Sequence, residues 1–180
     1  MCIRDSSFAD PFADSEYTLR QQAYNNRRMT GRPGVYTPQM IVNGSYAAVG
    51  SQRRYVEHAI KTAEQMPLSI DVVSVDEGTS MDVSIDAGEF ASKNSRADVW
   101  LATFDIERTT EITGGENKNL TLVNHHVVRN LRSLGQVNSD GFRSRVSPEL
   151  TAGQGCALFV QGQLPGSVLA AVNCPNEVWR

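Results

Sequence analysis

Two short β-prone runs, Gln39 to Val42 and Ser45 to Val49, flank the dipeptide Asn43-Gly44. Asn-Gly tolerates φ > 0 at both positions, as a two-residue type I′ hairpin turn requires. Thr37-Pro38 precedes the first run. After the second, Ser51 is a helix-capping residue, and Val56, Ala59, Ile60 and Ala63 recur at helical spacing. Upstream, Asp14 or Ser15 caps a helix predicted to reach about Met29, with Glu16 in its first turn and Arg27 and Arg28 in its last, where the helix dipole favours each sign. Thr30 to Gly34 breaks it. The predicted order is therefore helix, X-Pro, strand, tight turn, strand, helix.

From Pro67 the period changes. Leu68, Ile70, Val72, Val73 and Val75 predict a strand, and Asp76-Glu77-Gly78 a turn. Met81, Val83 and Ile85 alternate with Asp82, Ser84 and Asp86, giving one apolar and one wet face. Ala97 to Phe104 is apolar on both faces and predicts a central buried strand. A separate short strand is predicted from Thr109 to Thr113. Another begins at Leu120, Leu122 and Val123. Val127, Val128, Leu131 and Leu134 recur at helical spacing, so a helix near residue 130 competes with continuation of that strand. Ala157 to Gln161 and Val168 to Val172 form a hairpin about a turn at Leu164 to Ser167. The expectation is a second domain of about six strands, an antiparallel sandwich, with the boundary near Gln65 to Pro67.

The first half can now be placed. An X-Pro at the head of a hairpin between two helices looks like the C-terminal half of a thioredoxin fold. GVYTPQMIVNG, then VGS, and later ADVWLATFD, GEN and HHVVRNLRSLG, in that order from about Asp10 to about Val172, resemble the secreted thioredoxin-like proteins known as domain of unknown function 1223. The resemblance implies a fold more than an activity. Against the thioredoxin order β-α-β-α-β-β-α, the chain offers only α-β-β-α before the β-rich half. The absent helix would carry a Cys-x-x-Cys at its N-terminus, where the dipole lowers a thiol pKa. The expected fold class is thus α/β plus all-β: a partial thioredoxin-like domain over 7–65 and a β-rich domain over 67–175. The α-β-β-α half is expected to be marginal by itself.

Met1 to Ser6, MCIRDS, reads as a non-native scar of the sequencing-adapter type and is set aside with Cys2. The resemblance implies a secretory signal that these residues do not contain, so the expectation is an N-terminally truncated, periplasmic or secreted protein. In 180 residues, 40% apolar and 21% charged content is that of a globular chain, and a net charge of −3 without a basic patch interleaved with aromatics argues against a nucleic-acid partner. Arg27-Arg28 and Arg53-Arg54 read as solvated helix ends. No run approaches the roughly 18 apolar residues of a membrane span.

Four groups could carry chemistry. Thr37 and Pro38 would form a cis-proline wall beside the redox dithiol, as the resemblance implies; the alternative is a trans proline at an edge strand. No catalytic residue is assigned within the chain, since no Cys-x-x-Cys is present. Cys156 and Cys174 are symmetric about Pro165, so a regular hairpin would place them opposite each other for a structural disulfide; two free buried thiols or an offset turn are the alternatives. Glu116, Asn117 and His126 make a polar cluster in which Glu116 and Asn117 read first as turn chemistry. His125 and His126 are adjacent and diverge on a strand or a helix, so no metal is expected, and no other cofactor. His58 flanks a helix face. Two functions remain: a thiol–disulfide oxidoreductase acting on protein thiols or disulfides when complete, or a non-catalytic envelope binding module on the same scaffold. A hydrolytic or metal site at Glu116 and the histidines is a third. The sequence assigns no oligomeric state.

Overall fold

A computed structural model describes residues 11–27, 29–63, 66–88, 90, 96–114, 118–163 and 166–175. Among the described residues the fold is mixed α/β, with two α-helices and three sheets, and mostly strand. It divides into two units. The first takes residues 1–65, 109–122 and 164–167; the second takes 66–108, 123–163 and 168–180.

In the first unit, α1 spans Ser15–Asn26 and is capped by Asp14, whose carboxylate accepts the Glu16 N–H at 2.7 Å. It ends three residues before Met29, because Arg27 is already extended. β2 (Gln39–Val42) and β3 (Tyr46–Val49) pair antiparallel, Val42 opposite Tyr46. Asn43 and Gly44 both have positive φ, at 47° and 67°. The connection holds three residues rather than two: Ser45 donates its N–H to Val42 O at 3.1 Å, and the ladder resumes only at Tyr46. Before them, β1 (Thr30–Gly31) lies parallel to β3, so the sheet order is β1-β3-β2. The sequence reading takes this stretch as a breaker. A Cβ at Gly31 would lie 2.1 Å from Ala47 O, so glycine lets the two backbones approach. α2 runs Arg53–Thr62 from Gln52, not Ser51, and no side chain caps it. Among the described residues of this unit the buried apolar side chains are Tyr24, Ala47, Ala48, Ala59 and Ile112. Three are alanines, so the core is thin, and Leu19, Tyr55 and Ile60 stay exposed.

Among the described residues, seven strands lie wholly or mainly in the second unit. β4 (Asp71–Val75), β5 (Ser80–Ile85) and β8 (Phe142–Val146) make one antiparallel sheet, order β4-β5-β8. β6 (Ala97–Glu111), β7 (Thr121–Val137), β9 (Gln154–Gly162) and β10 (Val168–Asn173) make the other, order β10-β9-β6-β7. Met81, Val83 and Val146 of the first sheet share a buried cluster with Leu101, Cys156 and Leu158 of the second. A second cluster joins Ile85 to Val99, Val160 and Ala170. This is the face-to-face packing of a sandwich.

Three expectations change here. The strand from Ala97 does not stop at Phe104; it is one with the segment at Thr109 and runs to Glu111. There is no helix near residue 130, because that segment is strand β7 throughout. β8 was not foreseen. A helix at 127–134 would strip β6 of its outer neighbour and leave an open row of amides and carbonyls. The helix-like spacing is that of a strand with shifted phase. Leu122 and Asn124 are half-buried, then Val127 and Leu131, then Leu134, and Val137 is buried, so the parity changes three times. His126, at φ 52°, lies at the first of these shifts and Gly135, at φ 133°, at the last.

Candidate functional site

The stretch the sequence singles out lies between α1 and β2. The Thr37–Pro38 bond is cis. Pro38 is half-buried and Thr37 is exposed. Side-chain amides hold this loop to α1. Gln21 Nε2 donates to Gln39 Oε1 at 2.8 Å and to Tyr36 O at 3.4 Å, and Gln39 Nε2 donates to Asn25 Oδ1 and Gly34 O, each at 3.4 Å. On the other side, Gly50 N–H donates to Pro38 O at 2.8 Å, closing the hairpin over the proline. A Cβ at Gly50 would come within 3.3 Å of Pro38 Cβ, so the glycine allows that approach. The Arg32 guanidinium covers the Tyr36 ring at 4.7 Å. The loop holds no thiol, carboxylate or imidazole of its own. What it can offer a ligand is backbone amides and carbonyls, the exposed Thr37 hydroxyl and the Arg32 guanidinium.

Cys156 and Cys174 form a disulfide with a Cα–Cα distance of 5.4 Å, ordinary for such a bridge. The register explains it. Asn173 pairs with Ala157 and Val172 with Leu158, so the cysteines follow as the next opposed pair, and Cys174 N–H donates to Cys156 O at 2.9 Å. Both are buried in the core cluster. Thiolate chemistry needs exposure and a positive neighbourhood, and this bridge has neither.

Glu116 and Asn117 lie outside the described residues. His126 sets its ring edge-on against Phe104, 5.0 Å between centroids. His125 Nδ1 lies 3.8 Å from Glu107 Oε2. Among the described residues no group of three His, Cys, Asp or Glu side chains could hold a metal ion. His58 lies edge-on to Tyr46, 6.3 Å between centroids.

Two polar features of the second unit lie outside the groups singled out by the sequence. Arg145 binds Asp82 through two hydrogen bonds of 2.7 and 3.0 Å and reaches Asp76 at 3.7 Å. The hydrogen bond from Arg145 holds the Asp82 carboxyl below the usual aspartate range, and Asp82 raises Arg145 in return. Asp82 and Arg145 are directly opposed in the β5–β8 ladder. Opposite charges on the wet faces of two strands were the available signal, but β8 had to be recognised first. Beside them, a cleft of about 350 Å³ is lined by Thr79, Ser80, Ser147, Glu149 and their neighbours. Ser80 and Ser147 share a hydrogen bond of 2.9 Å there.

The sequence matches the family model described as "Protein of unknown function (DUF1223)" over residues 5–161. The chain belongs to that family. No curated protein matches it. A structural-genomics crystal structure of a protein from Agrobacterium tumefaciens superposes on it with a TM-score of 0.70 at 22% identity, covering 95% of this chain and 75% of that one. At that identity the shared property is the fold. The DUF1223 match takes in the Thr37–Pro38 loop, β2, β3, α2 and β4 to β8, and most of β9. No helix among the described residues of this DUF1223 chain is long and apolar enough to cross a membrane.

Proposed function

We propose that the complete protein is an exported, thioredoxin-like thiol–disulfide oxidoreductase, to which these 180 residues contribute the substrate-facing wall and the appended β-unit. The observation that supports this reading is the order of the first unit, in which the Thr37–Pro38 loop leads into β2, β3 and α2; the two-residue β1 stands between α1 and that loop. In the sheet order β1-β3-β2, the outer edge of β2 has no partner among the described residues. Gln39 to Val42 carries no charge to discourage a further strand, although edge strands are commonly blunted by charge. A strand-helix-strand segment pairing along β2 would complete the sheet and bring a helix N-terminus, with its dithiol, beside Pro38. The thin core of the first unit accords with that missing cover. The buried Cys156–Cys174 bridge accords with an oxidising compartment, periplasmic or extracellular. Protein thiols or disulfides are the substrate class, and no cofactor is required.

The test is insulin reduction by dithiothreitol, with three proteins side by side: the product of the gene completed upstream, the same product with serines for its dithiol cysteines, and the 180-residue chain. Activity in the first alone supports the proposal. An inert complete protein, or one without a dithiol, overturns it in favour of a binding scaffold for an envelope partner.

A further inference from the structure

We draw no further inference here: the strongest candidate, the uncharged outer edge of β2 with the exposed Val35 and Met40 beside it, belongs to the site already described, and nothing else in the structure shows what covers it.

Discussion

Reducing the Cys156–Cys174 bridge removes a constraint on the unfolded chain while leaving the β9–β10 ladder to hold the native one. The cysteines are 18 residues apart. For a loop of that length the chain-entropy relation gives about 11 cal/mol/K, or roughly 3 kcal/mol at 25 °C. Both sulfurs sit in the core, Cys156 at 0% and Cys174 at 2% exposure, so reductant should not reach them until the hairpin opens. The assay is urea unfolding of oxidised protein and of protein reduced in urea and refolded, followed by the fluorescence of Trp100 and Trp179. With an ordinary slope of about 1–3 kcal/mol/M for urea, the midpoint should fall by roughly 1–3 M on reduction. In the native oxidised protein, iodoacetamide should label neither Cys156 nor Cys174. A midpoint shift under about 0.3 M at unchanged slope would refute the reasoning, as would labelling at either of them.

Other perturbations separate packing from surface chemistry. Leu158→Ala, at a fully buried site between the sheets, should cost about 2–5 kcal/mol in the same melts, whereas Leu19→Ala on the exposed face of α1 should stay within about 0.5 kcal/mol. Gly141→Ala should destabilise by about 1–3 kcal/mol, because φ is +85° and the new Cβ would fall 2.2 Å from Ile85 O; a neutral result would contradict the β5–β8 register. Because the Asp82 pKa is depressed in the folded state, its contribution is present above the unfolded aspartate value of about 3.9 and is lost as pH falls through the folded value. Asp82→Asn should therefore flatten the acid limb of stability below about pH 4. The pair is exposed, so the difference should shrink in molar salt; an acid limb unchanged by the substitution at low salt would refute it.

Local chemistry decided much of this fold from the sequence alone. Asn43-Gly44 called for positive φ, Asp14 capped α1, and Met81-Val83-Ile85 alternated against a wet face, each requiring only neighbours in the chain. The pairing of β9 with β10 was legible for the same reason: counting inward put Cys156 opposite Cys174, and the register Asn173↔Ala157 places them there, while Leu164 and Pro165 of the expected turn lie outside the described residues. Long-range pairing was not legible. Val127 to Leu134 has helical spacing, and only the neighbour β6 makes it a strand, with His126 and Gly135 shifting the phase. β1 is two residues long and exists because Gly31 can approach the Ala47 carbonyl. The Asp82–Arg145 pair joins residues 63 apart, so neither side chain announces the other until β5 and β8 are aligned. At the candidate site the sequence supplied the Thr37-Pro38 dipeptide and its hairpin. The tertiary structure supplied the clasp from Gln21 and Gly50, and the edge of β2 that has no partner among the described residues, because hydrogen bonds between distant segments form only once the backbone has been placed.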